Sequence, residues 1–182
     1  VECGITAEKA GDQNFEPVRT VPDLYQMWNE EYLQELYGAG GVVSELVLAG
    51  DGRMYGTSST GGAFDLGTIF EFDPTTSMLQ VVHSFDGTDG AHPDSGLVIG
   101  TDGLLYGVTP QGGGAGWDSG TGPRGTVFSF APSTGQLLTL HVFEFVSGQT
   151  NAFPGGATPS GPLVQASNGL LYGTTSELGP DG

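Results

Sequence analysis

A single cysteine, Cys3, excludes an internal disulfide framework and any cysteine-built metal site. Basic residues are nearly as scarce: Lys9, Arg19, Arg53 and Arg124 stand against 21 acids, for a formal charge of −17. A field of that sign repels phosphate backbones and anionic lipid, which argues against nucleic acid as a partner. No apolar run approaches the roughly 20 residues of a membrane-spanning helix, and no signal-peptide pattern opens the chain. A sequence that begins at Val1 therefore reads as processed or trimmed, with Cys3 a free thiol or an intermolecular bridge. Scarce lysine and abundant Gly, Ser and Thr suit an extracellular or cell-surface setting.

Glycine, by contrast, is abundant at 33 of 182 residues. It follows no three-residue period and clusters between short apolar runs, the pattern of many short strands joined by tight turns. Those runs repeat. Residues 67–85 (GTIFEFDPTTSMLQVVHSF) and 125–143 (GTVFSFAPSTGQLLTLHVF) match without a gap at 9 of 19 positions. A second unit recurs three times, as LAGDGRMYGTSSTGG at 48–62, IGTDGLLYGVTPQGG at 99–113 and QASNGLLYGTTSELG at 165–179. An array of one supersecondary unit decides the architecture before any side-chain chemistry is considered.

Each copy reads as four strands. Strand one is 45–49, 97–100 or 163–166; strand two is 53–58, 104–109 or 170–175. Asp51-Gly52, Asp102-Gly103 and Asn168-Gly169 lie between them, the favoured centre of a two-residue hairpin in which both residues take positive φ. Strand three is 68–73 or 126–131. A proline-containing turn leads to strand four at 79–85 or 137–143. Period two puts Leu79, Val81, His83 and Phe85 on one face of strand four. In the second copy Leu138, Leu140 and Val142 make the other face apolar too, which predicts a sheet covered on both sides.

Upstream, residues 1–20 read as an extended arm. Leu24, Trp28, Tyr32 and Leu36, at spacing four after Asp23, predict one short N-terminal helix lying on the first repeat or making an oligomer contact through Trp28 and Tyr32. The expected organisation is arm and helix at 1–41, repeat 1 at 42–95, repeat 2 at 96–160 and a partial repeat 3 at 161–182. The fold class is all-β, with propeller-like four-stranded antiparallel blades, two complete and a third partial; a solenoid of sheets is the other arrangement the pattern fits. Two and a half blades cannot close a ring of four or more. The last hairpin, with Leu170 and Tyr172, is therefore expected to find strands in missing repeats or neighbouring chains.

Asn168-Gly169-Leu170-Leu171-Tyr172-Gly173-Thr174-Thr175, together with Gly125-Thr126-Val127-Phe128 and Leu140-His141-Val142-Phe143, resembles the GloVer tandem repeat of bacterial "choice-of-anchor" proteins over residues 42–182. The resemblance implies a secreted or surface-attached repeat protein and supplies no catalytic residues.

Chemistry-bearing residues are few. His83 and His141 share one repeat position on an apolar face, which reads as structural, with ring nitrogens bonded to neighbouring backbone. Neither a Ser-His-Asp pattern nor a His-rich metal spacing accompanies them, and an enzyme is not expected. Tyr55, Tyr106 and Tyr172 recur before glycine and either pack between blades or form stacking platforms for sugars. Asp86, Asp89 and Asp94, set among glycines, read as solvated turn acids or an oxygen-rich calcium loop, the one cofactor left open. Trp117 and Asp118, in the Gly-rich insertion, are candidates for a recognition tip or for packing over a blade edge. The expected role is structural assembly by self-association or with other protein chains. A lectin-like module that binds glycan through Trp117 and the Asp86 loop is the alternative.

Overall fold

A computed structural model of the chain describes residues 44–119, 122–144 and 156–177. The N-terminal arm, the helix expected around Trp28 and Tyr32, and Cys3 lie outside the described residues. Within them the fold is all-β and antiparallel, with no α-helix. β1 (Val47–Leu48), β2 (Met54–Ser58), β3 (Thr68–Asp73) and β4 (Met78–Ser84) form one sheet in sequence order. β5 (Val98–Ile99), β6 (Leu105–Thr109), β7 (Thr126–Ala131) and β8 (Gln136–Val142) repeat it. β9 (Ala157–Gln165) and β10 (Leu171–Glu177) form a two-stranded third sheet. The expected bounds of strand three hold to the residue. Strand one is shorter than expected in copies one and two, and longer in copy three, where it starts at Ala157.

The hairpins between strands one and two depart from the two-residue reading. Gly52, Gly103 and Gly169 have φ of 83°, 81° and 81°, but their Asp or Asn neighbours do not join them at positive φ. The Gly52 N–H donates to the Ala49 carbonyl at 3.0 Å and the Ala49 N–H to the Arg53 carbonyl at 2.9 Å. That is a three-residue loop, a turn closed by one left-handed glycine. What holds Asp or Asn in the turn is its side chain. Asp51, Asp102 and Asn168 each accept the N–H two residues on, at 3.0, 3.1 and 3.0 Å.

Consecutive sheets stack face to face. Tyr55, Ile69 and Phe85 of the first sheet meet Leu97, Leu105, Phe128 and Phe130 of the second in one buried cluster. Phe85 stands edge-on to Phe128 with ring centroids 5.3 Å apart, and the Thr57 hydroxyl donates to the Ser95 carbonyl across the junction at 2.9 Å. β9 lies against β6 and β5 on the opposite face of the second sheet, so the three sheets succeed one another in one direction.

Strand four corrects the period-two reading. Ile69 pairs with His83 but Phe70 pairs with Val81, so Val82 is an inserted residue; in copy two, Leu140 is inserted between His141 and Thr139 in the same way. A bulge reverses the alternation beyond it, and Val82 rather than Val81 packs on the core. The expectation that copy two is covered on both faces is also corrected: Leu138 and Leu140 are exposed. Val82 is covered because the second sheet lies over the first. Over β8 the third sheet has only two strands to offer.

Candidate functional site

The third sheet presents strand two of the repeat without its usual partner. In the complete sheets β2 pairs with β3 from Met54↔Phe72 to Ser58↔Thr68, and β6 pairs with β7 in the same register, Leu105↔Phe130 to Thr109↔Thr126. β10 pairs only with β9, and no described strand occupies its other edge. An edge strand with no described neighbour is a template for another strand.

Burial at the repeated tyrosine follows how much protein is stacked beyond it. Tyr55 is 0 % exposed, beneath a full sheet and 6.4 Å from the Phe130 ring. Tyr106, facing the half sheet, is partly buried. Tyr172, with no described sheet beyond it, is 53 % exposed, and Leu170 beside it is exposed as well. One sequence position thus passes from core to surface along the described sheets.

A cavity of about 320 Å³ lies between the second and third sheets, walled by Val108, Val127, Phe143, Leu163, Leu171 and Gly173. The equivalent place between the first two sheets is filled. There the Phe128 ring lies over Gly107, so close that an added Cβ would stand 2.5 Å from Phe128 Cζ and 2.9 Å from Leu97 Cδ2. Gly173 repeats Gly107, Leu163 repeats Leu97 and Phe143 repeats Phe85. Three residues of the wall of the Phe128 seat thus recur around the cavity.

This two-and-a-half-fold repetition has a sequence counterpart. The model of one protein family, the Gloeobacter/Verrucomicrobia repeat, matches residues 31–182. The chain belongs to that family. The match starts at residue 31, so the family's segment reaches upstream of the strands, where the resemblance stopped at 42. No curated protein matches the chain.

Within the Gloeobacter/Verrucomicrobia repeat, the tyrosine is tied to the turn that precedes its strand. The Tyr55 hydroxyl lies 2.9 Å from Asp51 Oδ2, the Tyr106 hydroxyl donates to Asp102 Oδ2 at 2.6 Å, and Asn168 Nδ2 donates to the Tyr172 hydroxyl at 3.3 Å. Sequence reasoning listed the Asp-Gly turn and the tyrosine separately; their fixed spacing of four was the missed signal. Burial, then the carboxylates of Asp51 and Glu71, push the Tyr55 pKa far above its usual value. Its bond to Asp102 raises Tyr106 and holds Asp102 below the usual carboxylate range. Glu71, also missed, is buried and fully partnered. It lies 3.0 Å from the Tyr55 hydroxyl, accepts Gln80 Nε2 at 2.5 Å and sits 3.7 Å from Arg53 Nε.

The remaining candidates are engaged within their own loops or exposed. Asp86 Oδ1 accepts the Thr88 N–H at 2.8 Å and its hydroxyl at 2.6 Å, bonds that lower the Asp86 pKa. Asp89 accepts the Asp86 N–H at 3.0 Å and faces His83 Nε2 at 2.7 Å. Asp94 is exposed and apart from them. Among the described residues no three His, Cys, Asp or Glu side chains are grouped to hold a metal. His83 thus takes a carboxylate rather than a backbone partner, and both histidines stack edge-on on a phenylalanine, His83 on Phe85 at 5.0 Å and His141 on Phe143 at 4.7 Å.

Trp117 is folded back on the first copy rather than raised as a tip. Its ring meets His92 at 6.3 Å, and its Nε1 lies 2.5 Å from where a Cβ on Gly87 would stand. The Gly113 N–H donates to the Gly87 carbonyl at 2.9 Å, so the Gly-rich insertion is a clamp between copies. Asp118 is exposed beside it. No helix among the described residues is long and apolar enough to cross a membrane.

Proposed function

We propose that the chain is an extracellular or cell-surface structural repeat protein. On this reading its stacked sheets are blades of a propeller-like array that further repeats or neighbouring chains complete. The observation that carries the reading is the fall in burial from Tyr55 to Tyr172, a position made to be covered and left bare beside an open strand edge. Clamps such as Trp117 on Gly87 and Thr57 on Ser95 join one copy to the next, which fits a scaffold. The acidic, lysine-poor composition and the resemblance to secreted repeat proteins support the location.

Light scattering and negative-stain imaging of the purified chain test this reading. A mass well above 18.7 kDa, unchanged by added sugars and lowered by Tyr172→Lys, is the expected result. Tyr172 is already exposed, so the lysine leaves the isolated fold intact while forbidding its burial. A monomer at all concentrations that binds glycans would overturn the reading. Protease shaving of intact cells checks the location, with loss of the chain expected.

A further inference from the structure

We infer that the cavity between the second and third sheets is a phenylalanine seat for strand three of a further repeat unit, a segment of pattern Gly-Thr-(Ile/Val)-Phe-x-Phe, which adds antiparallel to β10. The inference rests on the assembly reading above and names the segment that would complete it.

Register fixes the pose. Gly56 pairs with Phe70 and Gly107 with Phe128, so the incoming strand sets its first phenylalanine opposite Gly173. Its second phenylalanine falls opposite Leu171, as Phe130 falls opposite Leu105, and comes beside Tyr106 as Phe130 lies beside Tyr55. The first ring enters between Leu163 and Phe143, which repeat the Leu97 and Phe85 that hold Phe128. Size agrees: about 150 Å³ is enough to hold a benzene ring, and this half-open cleft, which Thr174 and Thr175 also line, has about 320 Å³. The glycine is what opens the seat, since any side chain at that position would occupy the space over which the ring lies.

The opposite end of the array carries a matching sign. The Thr126 hydroxyl, first residue of β7, donates to the Asp89 carbonyl of the preceding copy at 3.1 Å. Thr68 holds the same position in the first copy, is 0 % exposed, and its hydroxyl has no hydrogen-bond partner among the described residues. A strand three begins, by this pattern, under the loop of a preceding unit, and the third sheet is built to receive the strand three of a following one.

The test uses a fluorescent synthetic peptide of residues 125–143 with the full chain, read by anisotropy and by amide chemical shifts of β10. Saturable binding is expected, with shifts at Leu171–Glu177. Affinity should fall at least tenfold for the peptide carrying Phe128→Ala, and less for the one carrying Phe130→Ala. Gly173→Leu in the full chain should block the seat to the same degree; should that variant misfold, the two peptide substitutions decide alone. Equal binding with and without Phe128, or shifts elsewhere than β10, overturns the seat. A chain that self-associates yet ignores the peptide also overturns it while leaving the assembly reading standing. A chain that stays monomeric yet binds the peptide through Phe128 keeps the seat and removes self-association.

Discussion

The junction between the first and second sheets and the junction between the second and third are built from the same residue positions and differ in one respect. The first is filled by two phenylalanines of a strand three, Phe128 and Phe130; at the second no described strand three fills the space. Phe85 is 0 % exposed at the first junction, and its repeat Phe143 is only partly buried at the second. Val82 packs on the core where Leu140 is exposed. The difference teaches that a sheet's own strands supply only part of its core. The rest arrives with the next sheet, so burial at one sequence position reads out the state of its neighbour.

The sharpest way to break the comparison is to delete the same ring at both junctions. Phe85→Ala should cost about 3–5 kcal/mol, the usual range for emptying a filled aromatic site. Phe143→Ala, beside a cavity that already exists, should cost under about 2 kcal/mol, because fewer contacts are lost. Urea unfolding followed by circular dichroism gives both values. Equal costs would mean that the second junction is as well packed as the first. Bound strand-three peptide should raise the Phe143→Ala cost toward that of Phe85→Ala.

A smaller effect separates the tyrosines. Tyr55→Phe strips a buried Glu71 and Asp51 of a hydroxyl within 3.0 Å and should cost about 1–3 kcal/mol, since a buried carboxylate then loses a donor. Tyr106→Phe removes one bond at a wetter site and should cost about 0.5–1.5 kcal/mol. The same contrast appears in alkali. Tyr55 keeps its proton in the fold while the unfolded chain ionises near the ordinary tyrosine pKa of about 10. Its folded pKa is raised, so its contribution is fully present below about pH 10 and is lost as pH climbs through the folded pKa. Stability should therefore decline above about pH 10, and Tyr55→Phe should flatten that decline more than Tyr106→Phe.

Much of this architecture was legible in the residues. Three Asp/Asn-Gly turns, two Gly-Thr-x-Phe strands and two Pro turns located the strands, gave four to a copy and left the third copy half built. What hid were features that spacing cannot encode. The bulges at Val82 and Leu140 insert one residue without a sequence mark, so strict alternation misassigned the faces of strand four. The turn geometry was misread because an Asx bond to the backbone, rather than positive φ, holds Asp51 and Asp102 in place. Trp117 read equally as a recognition tip or as packing over a blade edge, because a Gly-rich insertion gives no hint that it doubles back onto Gly87. The Phe128 seat was invisible until Gly107 was seen as the space over which a ring lies; in the sequence Gly107 and Gly173 are simply the residue after tyrosine.

The smallest contrast lies in the turn between strands three and four, where the two copies solve one backbone problem with different residues. Ser77 and Gly135 both sit just before strand four at positive φ, 58° and 68°. A side chain there costs about 1–2 kcal/mol in the left-handed region, and a Cβ on Gly135 would meet nothing within 4 Å, so the penalty is backbone strain and not a clash. Copy one tolerates it because Asp73 Oδ1 braces the turn, accepting the Thr75 N–H at 2.8 Å and its hydroxyl at 2.6 Å, which also lowers the Asp73 pKa. Copy two has Ala131 at that place and closes the turn instead through Gly135 N–H to the Ala131 carbonyl at 2.9 Å. Ser77→Gly should stabilise by less than about 1 kcal/mol, the relief of strain being offset by a freer unfolded chain, and Gly135→Ala should destabilise by about 1 kcal/mol. In a chain of this size those changes move Tm by about 2–4 °C per kcal/mol. A Ser77→Gly variant that melts lower than the parent would show that the serine side chain, and not the Asp73 brace, holds that turn.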